Sequence, residues 1–538
     1  MERGSSLDNE DDGQALSLDK LYPLPSKGVP LVLLPPAVTP VNPTSSDTAA
    51  ARVLQRVLRH NREHHHAYIK NKWFHNHAAH HMVAIFALGA SSQLIERAYG
   101  AYDNLTPAYE SPESITDSNF VEHLGKERFY AAYVAYFSRY VMDHSPLEAF
   151  QHFFFSPAYN VRQPCNPCGA TGQKKAKDPA MLSRLFSGLL HPFIHAAYGI
   201  EFGLPGQLAE GLAQAAVQRS EQNIFLPAHV FTELTNELEP KSGLVPDRDS
   251  HGRAYSGRCV FAVTPPKKYV HQYSATLKGV GPAVKALVRE WEEDWLQGAL
   301  CDADVEMRLV GMVEEVIWGN VIWFGVGGWT LRDENAGKAI DADFYVMHLV
   351  TSSIFLLTLI LPSASTPSPT LLLLRQRLVL LRTYLAVSVS VYISRGRAQT
   401  PLPIEEFYVA TQAHVVRVNR AGGVGISIPA RDEHELAKTW ESILSTAITH
   451  SDDHLPKMIR ALAAFAARWG KRRASPGYYF AGHLPHSGRL DGTLFVRVAA
   501  LVIDRFVRTT TTTSAVMSWA LGEGEGEGGW DNISGDLP

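Results

Sequence analysis

The sequence has few cysteines and no excess of basic charge. Four cysteines in 538 residues are too few for the disulfide framework that holds small secreted domains together. Lysine and arginine number 50 against 54 aspartates and glutamates, which gives a formal net charge of −4. The sequence therefore offers no broad basic surface for a nucleic-acid backbone or an anionic membrane, and neither is an expected partner.

A targeting or membrane segment is not recognisable either. The N-terminal residues lack the basic segment and apolar core of a secretory signal, which favours a cytoplasmic protein. The apolar stretch 349–361 is shorter than the roughly 20 residues that span a bilayer. A second stretch, 371–393, is interrupted by Arg375, Arg377 and Arg382, and burial of arginine in lipid is costly. Both stretches are therefore predicted to be buried core helices.

Nucleotide-binding and zinc motifs are absent or incomplete. The one match to the Gly-x-Gly-x-x-Gly fingerprint, from Gly524 to Gly529, lies in a Gly-Glu run. Its carboxylates would repel a pyrophosphate, and no strand precedes it. Cys165 and Cys168 supply only half of a structural zinc site, so we interpret this segment as a plain loop. The sequence predicts no Rossmann domain for FAD or NADPH.

Helical patterning is abundant instead. Hydrophobic residues make up 45% of the chain and charged residues 19%, as in a protein with a large core. Apolar residues recur at helical spacing through most of 50–235 and 283–395. We therefore predict an all-α fold, a large helical bundle-like single composite domain with irregular insertions. The expected parts are a disordered or loosely docked tail over 1–50, a catalytic domain over 51–538, and surface insertions at 238–285 and 509–529.

Histidine is the most informative residue type, with 23 in the chain. His77 and His81 are four residues apart, as are His191 and His195, and this spacing puts both rings of a pair on one helical face. His348 lies on a third apolar helix. Neutral imidazoles from three inward-facing helices build metal sites in bundles. We predict these five as candidate metal ligands, of which three or four bind; the alternative for each is a hydrogen-bonded core histidine.

Three separated motifs resemble the questin oxidase-like family of fungal secondary-metabolite enzymes. They are FHNHAAHHMVAIFALGAS from Phe74, HPFIHAAYGIEF from His191 and DFYVMHLVTSSIF from Asp343. The resemblance extends from about residue 55 to the end, where GGWDNISGDLP is similar to the family's terminal segment. It implies an oxidoreductase that uses dioxygen to cleave an anthraquinone-like aromatic polyketide ring. The implied partners are dioxygen and a small aromatic polyketide or quinone; the oligomeric state is left open.

The resemblance implies one of two cofactors. Some members are similar to non-haem iron dioxygenases with several histidines and a carboxylated lysine, which implies histidine-bound iron here. Others are similar to NADPH-dependent Baeyer-Villiger-type oxidases without a standard flavin fold, in which the histidines act as acids and bases. Arg377 stands where the lysine is expected, and arginine cannot become carboxylated because it stays protonated. Either the alignment is displaced there, or another group such as Glu201 substitutes, or the metal is weakly bound or absent, and a non-catalytic quinone-binding homologue is a further alternative.

Two residues near the histidines are the catalytic candidates that follow from this resemblance. Tyr198 or another ring hydroxyl is expected to orient the substrate, and Glu201 is expected to act in place of the carboxylated lysine. Aromatic side chains upstream allow two interpretations. They form either flat apolar walls for a polycyclic quinone or ordinary core packing, and they are Tyr130, Tyr133, Phe153 and Phe154.

Overall fold

The computed structural model describes most of the chain between residues 18 and 509. The described ranges are 18–25, 48–69, 74–162, 178–234, 273–330, 340, 342–361, 372–395, 402–412, 415–417, 425–427, 433–475 and 484–509. The Cys165 and Cys168 segment, the Gly-Glu run and the expected insertion at 509–529 therefore lie outside the described residues, apart from Thr509.

Helices account for nearly all regular structure in these ranges, which confirms the all-α prediction. The α-helices are α1 Leu18–Leu21, α2 Thr48–His64, α3 Ala78–Ala87, α4 Ser92–Gly100, α5 Tyr130–Asp143, α6 Pro146–Phe155, α7 Met181–Leu185, α8 His191–Phe202, α9 Pro205–Val217, α10 Ala228–Glu233, α11 Tyr273–Leu296, α12 Asp302–Thr330, α13 Phe344–Leu359, α14 Leu374–Ser394, α15 Ile404–Gln412, α16 Glu433–Thr449, α17 Leu455–Trp469 and α18 Leu494–Thr509.

Short 3₁₀ turns and one small hairpin complete the regular structure of the described ranges. The 3₁₀ turns are Phe120–His123, Glu127–Phe129, Pro157–Tyr159, Asn223–Phe225 and Ser487–Arg489. The hairpin pairs β1 Val415–Arg417 with β2 Gly425–Ser427 in antiparallel register, with Val416 opposite Ile426. A sheet of this size is an excursion from a helical body and leaves the fold class unchanged.

The centre of the fold is made of helices that are apolar on every side. Nearly every described side chain of α8, α13 and α14 is buried, as expected for helices that neighbours surround completely. Two helices, Asp302–Trp329 and Leu374–Ser394, are long and apolar enough to cross a membrane by length and composition. In this fold 89% and 94% of their most apolar windows are buried by protein, so they pack as core helices.

Helices α8 and α9 cross at unusually close range. A methyl group placed on Gly211 of α9 would lie 2.5 Å from the backbone nitrogen of Ala196 in α8. Only glycine allows the two backbones to approach this far. The crossing matters for the site because α8 carries His191 and His195, whereas α9 carries Glu210.

The structure bears on two expectations about the outer parts of the chain. Helix α11 begins at Tyr273, so the last residues of the expected 238–285 insertion are helical and the rest lie outside the described residues. Within the expected N-terminal tail, Leu21 and Tyr22 are buried in the core, so this part is firmly docked. The division into one tail and one domain stays a prediction.

The aromatic side chains proposed as substrate walls are mostly core. Tyr133, Phe153 and Phe154 are fully buried. The rings of Phe137 and Phe153 meet edge to face at 4.7 Å, and the Tyr133 hydroxyl donates to the carbonyl of Phe120. Such packing of α5 against α6 explains the aromatic stripe without a ligand.

Candidate metal centre

Three of the five predicted histidines converge in the core. His77 directly precedes α3, His191 is the first residue of α8, and His348 lies in the second turn of α13. One ring nitrogen from each lies within 4.8 Å of the others, and all three residues are buried. The Nε2 atoms of His77 and His191 are 2.8 Å apart, while Nε2 of His348 is buried without a hydrogen-bond partner.

The other nitrogen of each ring faces an oxygen. Nδ1 of His191 is 2.6 Å from the carbonyl of Gly188, and Nδ1 of His348 is 2.8 Å from the carbonyl of Phe344. Nδ1 of His77 is 3.4 Å from a carboxylate oxygen of Asp453. Carbonyl and carboxylate oxygens only accept, so each Nδ1 must carry the proton and donate it. Metal-binding histidines show this second hydrogen bond almost always.

Burial keeps these rings neutral. Desolvation lowers the pKa of His77 to about 3 and holds the pKa values of His191 and His348 well below the ordinary range. A neutral imidazole has one proton, and here Nδ1 holds it. The Nε2 atoms of His77 and His191 therefore face each other as two lone pairs, which repel unless a cation lies beside both.

A metal ion fits this arrangement of donors. Nitrogen ligands about 2.1 Å from one ion lie about 3 Å apart when they subtend a right angle at it. The His77–His191 separation is close to that value. Imidazole suits iron, copper and zinc, so the donor set fits the metal that the sequence motifs imply but does not select among these three.

A left-handed turn places His191. Gly188, Leu189 and Leu190 all have positive φ, at 56°, 52° and 67°. This conformation costs an L-residue about 1–2 kcal/mol, and here the buried surroundings maintain it. The turn brings the Gly188 carbonyl back to the His191 ring and Pro192 into the first turn of α8.

Helix α17 supplies polar groups that the sequence motifs did not indicate. Asp453 and His454 precede this helix and form a second cluster with His77 that could hold a metal ion. Nδ1 of His454 is 2.8 Å from Asp453. Lys457 is one turn further on and buried. Its charge acts on His77 and His348, among other cluster histidines.

The carboxyl group of Asp453 is held ionised by these neighbours. Burial opposes its ionisation, but His454, His77 and Lys457 outweigh that effect and place the pKa of Asp453 well below the ordinary range. Burial lowers the pKa of Lys457, against the opposing effect of Asp453 and Asp452. An acidic sequence, Asp452-Asp453-His454, at the start of a helix was the available signal for these residues.

The remaining two predicted ligands lie apart from the converging nitrogens. Nδ1 of His81 is 3.0 Å from the hydroxyl of Tyr102. Nε2 of His195 is 2.9 Å from Glu210, and its Nδ1 is 2.9 Å from Nε2 of His80. His80, which the spacing argument passed over, is the closer neighbour of His77, with ring centroids 6.0 Å apart.

Tyr198 and Glu201 lie one and two turns after His195 in α8, and both contact Arg460 of α17. Glu201 is fully buried and paired with Arg460. The guanidinium of Arg460 also lies 5.3 Å from the centre of the Tyr198 ring. One carboxylate oxygen of Glu201 is therefore held by an arginine while the other is buried without a hydrogen-bond partner, and Glu201 is not part of the converging ligand set. Tyr198 remains a neighbour of the cluster, since its ring lies 5.7 Å from that of His80.

Arg377 does not lie at the histidines, which corrects the expectation from the sequence. Its guanidinium pairs with Glu306 of α12 and donates to the carbonyl of Ile360 at the end of α13. His348 lies three turns earlier in α13. The buried lysine that accompanies the histidines in space is Lys457, so the arginine at position 377 is no argument against a metal or against activity.

Comparison with known proteins gives one consistent result. The model of the questin oxidase-like family matches residues 74–462, a range that includes every residue of the site. A Baeyer-Villiger oxidase of Pestalotiopsis fici is 25% identical over 424 residues, 78% of this chain and 81% of the relative. A questin oxidase of Aspergillus fumigatus is 26% identical over 473 residues, 87% and 90% of the two chains. A questin oxidase of Aspergillus terreus is 24% identical over 499 residues, 90% and 93%.

Proposed function

Because the chain belongs to the questin oxidase-like family and is an oxidoreductase, we propose that it is a cytoplasmic enzyme that cleaves an anthraquinone-like aromatic polyketide ring with dioxygen. We propose that His77, His191 and His348 hold a metal ion, iron by preference. The observation that carries the metal is the 2.8 Å separation of the Nε2 atoms of His77 and His191, in rings whose Nδ1 atoms each face an oxygen.

When bound, iron would supply the activation of dioxygen, which closed-shell organic substrates react with only slowly. The protein's own contribution is orientation. Asp453, the Gly188 carbonyl and the Phe344 carbonyl fix the three rings and raise the basicity of their Nε2 atoms. The apolar neighbours of these helices exclude water from the ligands, which strengthens each electrostatic contact.

Lys457 is our candidate for the carboxylated lysine that the family resemblance implies. A lysine amine reacts with carbon dioxide only in its neutral form, releases one proton and becomes an anionic carbamate. Burial favours that neutral form of Lys457 by lowering its pKa. The carbamate would add an anionic oxygen to a set of neutral histidines. The second candidate for this anion is Asp453, which forms the second cluster with His77 and His454.

Baeyer-Villiger-type oxygen insertion is the second candidate function. The names of several relatives favour it, including the Pestalotiopsis fici oxidase. In that reaction the neutral histidines would act as acids and bases, and NADPH would be the reductant. Within the described ranges the two-stranded hairpin is the only sheet, so any NADPH would bind to a surface other than a Rossmann fold there.

Metal content and oxygen consumption decide between the two candidates. The protein is purified without a histidine tag and analysed for metal, and an oxygen electrode follows its reaction with a panel of hydroxyanthraquinones, with and without NADPH. The proposed function predicts about one iron per chain and oxygen uptake that does not require NADPH. Metal-free protein with NADPH-dependent oxygen uptake would instead establish the second candidate.

A matched pair of variants tests the ligand assignment. His348→Ala removes a converging ligand, whereas His81→Ala removes an equally buried imidazole that faces Tyr102. We expect His348→Ala to lose metal and turnover, and His81→Ala to retain its metal. Melting temperatures are compared in the metal-free proteins, because bound metal itself stabilises the fold. Full metal content in His348→Ala would remove this residue from the ligand set.

A further inference from the structure

A row of hydrogen bonds leads from the histidine cluster to the N-terminal segment. Nε2 of His80 is 2.9 Å from Nδ1 of His195, and Nε2 of His195 is 2.9 Å from one carboxylate oxygen of Glu210. The other oxygen of Glu210 accepts from the hydroxyl of Tyr22 and lies 3.7 Å from the guanidinium of Arg62. All five residues of this row have little or no exposed surface.

The positions of the protons along the row follow from its acceptor end. Burial opposes ionisation of Glu210, but His195, Arg62 and Tyr22 outweigh it and lower its pKa. An ionised carboxylate only accepts, so Tyr22 and Nε2 of His195 must both donate to it. When each ring carries one proton, Nδ1 of His195 then accepts from Nε2 of His80. Nδ1 of His80 is left with a lone pair, buried and without a hydrogen-bond partner.

Close packing and two backbone hydrogen bonds fix Tyr22 at the end of this row. Its ring occupies the space beside Gly206, where a methyl group would lie 2.4 Å from a ring carbon. The side chains of Gln55 and Arg59 both donate to its backbone carbonyl, at 2.6 and 3.1 Å. These contacts anchor a residue that is distant in sequence from every other member of the row.

We infer that Tyr22 is a positioning residue for the histidine cluster. It holds the carboxylate of Glu210, which orients His195, which in turn fixes the proton of His80 on Nε2. The result is a lone pair on Nδ1 of His80 that stays in place among the rings of His77 and Tyr198. This inference rests on the proposed function in one respect: the lone pair would accept a hydrogen bond from a phenolic hydroxyl of the substrate.

The test uses Tyr22→Phe in the full-length protein, because this change removes one oxygen atom and keeps the packing of the ring beside Gly206. Nitrogen-15 NMR of histidine-labelled protein reports which ring nitrogens of His80 and His195 carry protons and how fast those protons exchange. In the wild type we expect both protons on Nε2. Tyr22→Phe removes the hydrogen bond from Tyr22 to Glu210, and a hydrogen bond to a charged group is worth at least a factor of about ten. With Glu210 held less firmly, the Nε2 proton of His195 should exchange about tenfold faster.

The matched control is Tyr136→Phe. Tyr136 also donates to a carboxylate, Asp117, at 2.7 Å, but it lies outside the row. A second variant, Gly206→Ala, should displace the Tyr22 ring and reproduce the effect of Tyr22→Phe. Where the wild type turns over a hydroxyanthraquinone, kcat of Tyr22→Phe should fall about tenfold with little change in KM, while Tyr136→Phe retains wild-type values.

Two results would overturn the inference. One is a His80 proton on Nδ1 in the wild type; the other is equal exchange of the His195 proton in the wild type and Tyr22→Phe. Neither depends on turnover, so the NMR comparison decides the role of Tyr22 even if the chain has no metal and cleaves no quinone. Absence of metal or of turnover in the wild type would instead count against the proposed function alone.

Discussion

The close crossing of α8 and α9 predicts a large effect for a very small change, Gly211→Ala. The added methyl carbon would lie 2.5 Å from the backbone nitrogen of Ala196 and 2.7 Å from its Cα. Ordinary contact for such atoms is about 3.5–4 Å, so the helices must separate by about 1 Å. Overpacking of this kind costs about 1–3 kcal/mol, and the clash involves backbone atoms that cannot rotate away.

Alanine has a better helix propensity than glycine by about 1 kcal/mol, which offsets part of this cost. Because the clash is with backbone atoms, we place the cost in the upper half of that range and expect a net fall in the free energy of unfolding of about 1–2 kcal/mol. Separation of the helices would also stretch the bond of 2.9 Å between His195 and Glu210. Urea unfolding followed by tryptophan fluorescence measures the first effect.

The control is Gly100→Ala at the end of α4, where nothing lies within 4 Å of the added methyl group. This variant should match the wild type or exceed its stability by up to about 1 kcal/mol. If Gly211→Ala is as stable as Gly100→Ala, the crossing of α8 and α9 has room for a methyl group and does not require glycine at position 211.

Three further predictions follow from the site and its surroundings. Arg377→Leu should lower the free energy of unfolding by about 2 kcal/mol, because it breaks the pair with Glu306, yet leave metal content unchanged in elemental analysis. Reconstitution of metal-stripped protein should improve with added bicarbonate, and Lys457→Met should abolish that response. Acid should destabilise the metal-free protein, because burial lowers the pKa values of His66 and His81 to about 4 and the unfolded state therefore binds more protons between about pH 6.5 and 4. These two residues alone should contribute a fall in stability of up to about 3 kcal/mol per pH unit in that window, which urea unfolding at several pH values would measure, and the other buried histidines should steepen the fall.

The sequence predicted the helices and five candidate ligands, three of which converge in the structure, because both predictions depend on local periodicity. His191 and His348 lie in apolar helices whose faces all point into protein, so their rings had to be buried. Periodicity could not choose between His80 and His81, since spacings of three and four residues both return to nearly the same helical face. In the structure His80 is the neighbour of His77, which precedes the helix.

The rest of the site depends on contacts between distant segments. Lys457 and Arg460 follow the pattern of a helix with one polar face, and such faces usually meet solvent. Here that face turns inward, because α17 packs against α3 and α13 and its charges meet Asp453 and Glu201. Tyr22 was missed for a different reason: it lies in a segment without periodicity, and only the space beside Gly206 reveals where its ring belongs.

The left-handed turn before α8 has a consequence for how the sequence can drift. Leu189 is half-buried and Leu190 is fully buried, yet both adopt a conformation that glycine and asparagine adopt more easily. A library randomised at both positions and selected only for soluble expression should accumulate Gly or Asn at position 189, where little packing is lost. Position 190 should keep an apolar side chain, because the core contact outweighs the strain. Amino-acid replacements during evolution should therefore be more frequent at position 189 than at position 190.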